Sequence, residues 1–197
     1  FCSQTRFAAL NLDALSWSVE LARCARRQRC AIELVVALSV GARSPTMESV
    51  LEVVEEMLPH HVLVQDRMSK NALLTQHRAN IDAGKRSAIF GLASFFEGID
   101  LPGAYCSHVV IAKLPFAVPD DPIAAAHAEL LKAQGRDPFM EISVPDAAQK
   151  LVQASGRLLR AESDEGRITL LDRRLVSRRY GRAILESLPG FTREIAQ

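Results

Sequence analysis

The chain has 197 residues, of which 48% are hydrophobic and 24% charged, enough to bury one sizeable core and too few for two full domains. A net charge of +1 excludes a polycation, so any affinity for nucleic acid has to come from a local patch. No apolar run approaches the ~18 residues of a membrane span, nothing at the start reads as a secretory signal, and Cys2, Cys24, Cys30 and Cys106 contain no C-x-x-C pair. The expectation is a cytoplasmic chain with reduced thiols, no metal site and no membrane partner.

In chain order, residues 1–46 stand apart. Arg23, Arg26, Arg27 and Arg29 interleave there with Cys24, Ala25 and Cys30, a composition unlike the remainder. Two readings stay open: a divergent or out-of-frame start joined to a domain spanning 47–197, or an amphipathic helix from Asp13 to Arg27 packed on it. Ile32 to Val40 is an apolar strand candidate, and Ser44-Pro45-Thr46 starts a helix from Met47 to Leu58. A short strand, His61 to Gln65, precedes a helix from Arg67 to Ile81 that ends near Gly84. Ser87 to Phe90 and Val109 to Leu114 read as strands, Pro122 to Ala133 and Pro145 to Arg160 as helices. Arg167 to Asp172 closes the set of strands, and Leu175 to Leu188 is the final helix. Strands alternating with helices predict an α/β fold with a mostly parallel sheet, helices on both faces, and ligands bound beyond the carboxyl ends of the strands.

Two stretches carry chemistry. Gln153-Ala154-Ser155-Gly156-Arg157-Leu158-Leu159-Arg160 places an amide and two guanidinium groups at spacings of four and three, one face of a helix, while Leu151, Leu158 and Leu159 turn toward a core. Arginine stays charged and grips phosphate oxygens with paired hydrogen bonds, and Gly156 removes a side chain where another backbone or a ligand comes close. A solvated basic helix face is the plainer reading of the same residues. Phe90 to Gly103 leaves a strand and enters a loop with Glu97 and Asp100 set between glycines, closed by Leu101-Pro102-Gly103. That loop faces a ligand by its chemistry, or forms a turn in which a carboxylate caps backbone N–H groups.

Together these stretches resemble motifs V and VI of superfamily 2 helicases, in the XPD-like branch and, within it, the bacterial DinG family of DNA helicases. The resemblance extends through Leu114-Pro115-Phe116, Pro119-Asp120-Asp121-Pro122, Asp137-Pro138-Phe139, Asp172-Arg173-Arg174, Tyr180-Gly181 and Leu188-Pro189, covering roughly Met47 to Ile195. It implies the second, C-terminal RecA-like domain of an ATP-dependent helicase that moves 5′ to 3′ on DNA. By the same resemblance, Arg157 or Arg160 is an arginine finger, and Gln153, Gly156, Glu97, Gly98 and Asp100 meet ATP. Ser94 and Lys113 are candidates for contacts to the DNA backbone. Phe95, Phe96 and Phe116 are candidates for base stacking, with core packing the more ordinary use of each.

Neither G-x-x-x-x-G-K-[ST] nor a DEAH box occurs in the chain. ATP and Mg²⁺ would therefore be shared with a first RecA-like domain, and the family's iron-sulfur cluster is expected only in that domain. The implied partners are single-stranded or forked DNA and the first domain, in a bacterial cytoplasm. The competing reading is a catalytically inactive nucleic-acid-binding or regulatory remnant of a truncated helicase. Two lures are set aside: His127-Ala128-Glu129 lacks the Pro-Cys-x-x-Cys of a zinc deaminase, and His60-His61 has no further ligands nearby.

Overall fold

In the computed structural model the described residues are 33–38, 62–65, 67–92, 98–111, 113–117, 121–158, 166–188, 190 and 192. The helix expected from Met47 to Leu58 and the alternatives for residues 1–32 lie outside them. Five strands form one sheet: β1 (Glu33–Leu38), β2 (Val62–Val64), β3 (Ser87–Leu92), β4 (His108–Ile111) and β5 (Arg167–Leu170). Their order is β2-β3-β1-β4-β5 and every pair is parallel. The expected parallel α/β architecture is present. β1, from the segment that stands apart in sequence, holds the middle of the sheet, with Val35 paired to both Ile89 and Val109.

The helices are α1 (Lys70–Asp82), α2 (Pro122–Ala133), α3 (Val144–Leu158), α4 (Arg174–Ser177) and α5 (Arg179–Ser187). α1 starts three residues later than the apolar pattern suggests because the Ser69 hydroxyl caps it, accepting from the Ala72 N–H at 3.3 Å. α2 starts where expected, with Pro122 in its first turn and the Asp121 carboxylate accepting from the N–H groups of Ile123 and Ala124. α3 is entered through a π-helical turn, Phe139–Ser143, which the pattern did not announce.

The expected single closing helix is two helices. Arg178 adopts an extended backbone (φ −112°, ψ 146°) between α4 and α5, and at this corner Gly181 lies against Leu175. A Cβ built on Gly181 would sit 2.1 Å from the Leu175 carbonyl oxygen, so the Tyr180-Gly181 pair marks a close backbone approach.

Register sorts the sheet into two faces. Leu63 pairs with Ile89, Ile89 and Val109 share Val35, and Val109 pairs with Ile168, which makes one continuous row. That row belongs to the main core cluster with Leu73 of α1, Val144 and Leu151 of α3, and Ile184 of α5. The alternate row, Val64, Phe90 and Val110, is also buried, as a parallel sheet requires of both its faces. Thr169 and His108 lie on this second face. The His108 ring is fully buried, with Nε2 2.9 Å from the Thr169 hydroxyl and Nδ1 without a partner among the described residues.

On the first face a directed chain of hydrogen bonds ties α1 to β3 and beyond. Gln76 donates to Asn80 (3.0 Å), Asn80 donates weakly to Ser87 (3.4 Å), and Ser87 lies 2.8 Å from His77 Nδ1. His77 Nε2 stands 3.1 Å from the Tyr105 carbonyl oxygen. A carbonyl only accepts, so Nε2 carries the proton and Nδ1 accepts from Ser87. Burial, partly opposed by that carbonyl, lowers the His77 pKa and keeps the ring neutral.

Two measurements follow from this packing. Gly181→Ala is expected to destabilise the domain by about 1–3 kcal/mol, the usual cost of overpacking, read as a lowered urea midpoint. Burial, with a smaller contribution from Arg167, lowers the His108 pKa to about 3. The stability tied to its neutral ring is fully present above the unfolded value of 6.5 and is lost as pH falls from there toward about 3. Two units below the unfolded value the loss is about 3 kcal/mol, since each unit is worth about 1.4. Chemical denaturation between pH 7 and 4 should therefore show a steeper fall for the native chain than for His108→Asn.

Candidate functional site

The two motif stretches occupy consecutive crossovers of the sheet. The segment leaving β3 must pass over β1 to begin β4, and α2 with α3 carries the chain from β4 to β5. In the first crossover Ile99, Leu101 and Cys106 are buried in the same core cluster as Leu73, Val144 and Leu151. Both motifs therefore lie on one face of the sheet. Gly98 has φ +73°, a conformation glycine adopts at little cost, and the chain turns there before Ile99 enters the core. Asp100 and Gly98 are exposed, and Arg78 of α1 donates to the Asp100 carbonyl oxygen at 2.7 Å. Glu97 and Ser94 lie outside the described residues, as do Phe95 and Phe96.

On α3 the buried positions are Val144, Ala147, Leu151 and Ser155, spaced by three, four and four. Gln153 and Gly156 are exposed on the other side, as the spacing predicts. Ser155 is satisfied within its own helix, its hydroxyl donating to the Val152 carbonyl oxygen at 2.8 Å. Among the described residues no atom lies within 4 Å of a Cβ built on Gly156, so the space beside it is open. Arg157 lies in the last turn of α3, and Arg160 is outside the described residues.

β4 is shorter than its apolar run. It ends at Ile111, and beyond that end the Leu114 N–H donates to a side chain, Asp172 Oδ2, at 2.8 Å. Lys113 is exposed just beyond the strand's carboxyl end. The Asp172 carboxylate also accepts from the Arg174 N–H at 3.0 Å and from the Arg174 guanidinium at 2.6–3.1 Å, which binds both oxygens. Burial alone would raise the Asp172 pKa, but the hydrogen bonds from Arg174 and Leu114 outweigh it and leave the value lowered.

Arg174 in turn lies 5.1 Å from the centroid of the Phe116 ring, a cation-π contact. Phe116, Phe139 and Tyr180 form a triangle with centroids 5.2–5.8 Å apart, two of the three pairs edge-to-face. Leu114-Pro115-Phe116, Asp137-Pro138-Phe139, Asp172-Arg173-Arg174 and Tyr180-Gly181, scattered over about seventy residues of sequence, thus meet in one cluster beyond the ends of β4 and β5. Phe116 is half-buried and packs against the core, the ordinary use anticipated for it. Sequence reasoning did not identify Asp172 as the centre of this cluster. The Asp-Arg-Arg signal was visible, but its partner Leu114 is 58 residues away.

Among the described residues no group of three or more His, Cys, Asp or Glu side chains is placed to hold a metal ion, and Cys106 is buried. His127 and Glu129 are exposed on α2. No described helix is long and apolar enough to cross a membrane.

An all-parallel sheet with β1 at its centre and helices in its crossovers is the RecA-like α/β class of fold. The helicase C-terminal domain family matches residues 42–191, and the chain belongs to that family. It is 51% identical over 134 residues to the ATP-dependent DNA helicase DinG of Photobacterium profundum, covering 68% of this chain and 19% of that protein. It is 39% identical over 147 residues to the ATP-dependent DNA helicase YoaA of Haemophilus influenzae, covering 75% and 22%. The chain thus spans about a fifth of the length of these relatives. A solved XPD helicase superposes with a TM-score of 0.67 at 18% identity, over 99% of this chain and 36% of that one, a likeness of fold.

Asp172→Asn should destabilise the domain by about 2 kcal/mol, the worth of hydrogen bonds to a charged group. Asp172 has a lowered folded pKa, so its contribution is present above the unfolded value of 3.8 and lost as pH falls through the folded one. Acid titration of stability should show this limb in the native chain and not in the Asn variant.

Proposed function

We propose that the chain is the second motor domain of a DinG-like, ATP-dependent DNA helicase that moves 5′ to 3′. The observation that carries this reading is the outward face of α3, where Gln153 and Gly156 are exposed opposite Leu151 and Ser155 within the span matched by the family. The relatives' names supply the activity, DNA unwinding driven by ATP. In this reading a first RecA-like domain binds the β- and γ-phosphates and Mg²⁺, and carries any iron-sulfur cluster. The two domains close on ATP, which supplies the energy of stepping.

The present chain contributes the other wall of the cleft. Arg157 or Arg160 stabilises charge that develops on the γ-phosphate only in the transition state, and Gln153 orients the nucleotide or its own helix. Gly156 leaves room for the approaching phosphates. Glu97, Gly98 and Asp100 respond to the nucleotide's state, and Ser94 and Lys113 hold the backbone of single-stranded or forked DNA. The exposed ammonium of Lys113 beyond β4 supports that last role.

The test mixes this chain with a separately produced first domain of a DinG-type helicase and measures DNA-stimulated ATP hydrolysis. Activity should appear only on mixing. Replacing the finger, by Arg157→Ala or Arg160→Ala, should lower it by about 10³-fold or more. A folded chain that binds single-stranded DNA but adds no hydrolysis to the mixture would favour the inactive nucleic-acid-binding module instead.

A further inference from the structure

We propose that Arg78 is a positioning residue for Asp100, holding the motif V loop through its backbone without touching nucleotide. The proposal rests on the functional reading above, in which Asp100 answers to the nucleotide.

The geometry is specific. Ile99 and Leu101 are both buried, which pins the chain on either side of Asp100. The carbonyl between them accepts the 2.7 Å hydrogen bond from Arg78 Nη2, a contact spanning 22 residues of sequence. Asp82, one turn further along α1 and on the same side as Arg78, accepts from the Tyr105 hydroxyl at 2.7 Å. The stretch from Asp100 to Tyr105 therefore runs along α1, held at one end by Arg78 and at the other by Asp82. Upstream, Gly98 at φ +73° lets the chain turn before Ile99 enters the core and the Asp100 carbonyl meets Arg78.

Arg78 is exposed, and a guanidinium at the surface gains little folding stability from one hydrogen bond. What it fixes is direction. With the carbonyl held toward α1, the peptide plane between Asp100 and Leu101 is set, and with Ile99 and Leu101 buried on either side the direction in which the Asp100 side chain leaves the backbone is set too. A displacement of about 1 Å in a catalytic constellation costs up to about a hundredfold in rate even when nothing touching the substrate has changed.

The experiment uses the whole chain mixed with the first helicase domain, in native form and as Arg78→Ala, Arg78→Lys and Tyr105→Phe. ATP titrations give kcat and KM, and amide hydrogen exchange is followed over residues 98–101. Arg78→Ala should lower kcat about tenfold with KM for ATP little changed, and should speed exchange at those amides, with an unshifted thermal midpoint. Arg78→Lys, which keeps one charged donor, should recover most of the rate. Native kcat and native exchange in Arg78→Ala would overturn the proposal. So would an equal loss of kcat in Tyr105→Phe, which would make Arg78 one staple among several.

Arg157→Ala and Arg160→Ala run alongside separate the two ideas. If neither lowers hydrolysis, or if the mixture does not hydrolyse ATP, the functional reading fails, and the exchange data alone decide whether Arg78 holds the loop.

Discussion

A parallel sheet cannot be closed by hairpins, so each strand's chain must travel back across a face before the next strand begins. This constraint organises the whole domain. The β3 to β4 return passes over the central strand β1, and the β4 to β5 return is made by α2 and α3. These two returns are also the motif-bearing stretches. They lie on the same face because Ile99, Leu101, Val144 and Leu151 bury their side chains in one cluster over the row of Leu63, Ile89, Val109 and Ile168. Stretches separated by about fifty positions lie on one face of the sheet because their apolar residues share a core.

The crossovers are fixed by different kinds of interaction. α3 is held by its apolar stripe and needs few polar anchors. Among its described residues the β3 to β4 return buries the apolar side chains of Ile99, Leu101 and Cys106, and it is tied to α1 through Arg78, His77 and Asp82. The neutral, fixed tautomer of His77 belongs to this arrangement, since a second ring proton would have to displace the Ser87 hydroxyl hydrogen. Asp172 does comparable work at the far ends of β4 and β5. Its carboxylate accepts the Leu114 N–H beyond the end of β4, and through Arg174 it sets the cation against Phe116 and the aromatic triangle.

Because α3 is set by apolar packing, its outward residues are available for other contacts without costing the fold. A loop held by exposed polar contacts is, by contrast, a place where the chain can shift, because such contacts are broken and remade cheaply.

The sequence by itself determined the type and order of the described strands and helices, because each has the period of its own structure, and periodicity is a local property. It also determined which side of α3 faces outward, since Gln153 and Gly156 fall opposite Leu151 on any helix. It marked the hallmark pairs Leu-Pro-Phe, Asp-Pro-Phe, Asp-Arg-Arg and Tyr-Gly without saying that they belong together. Only the tertiary structure decided that, because the Leu114 to Asp172 bond and the Phe116 ring stack join residues far apart in the chain. It decided too that the last helix breaks at Arg178 and that β1 is central. Each depends on a partner supplied by another element: the Leu175 carbonyl against Gly181, and two flanking strands. Arg78 is the plainest case. On the page it is one charged residue on a helix surface, and its meaning comes from a carbonyl 22 residues away.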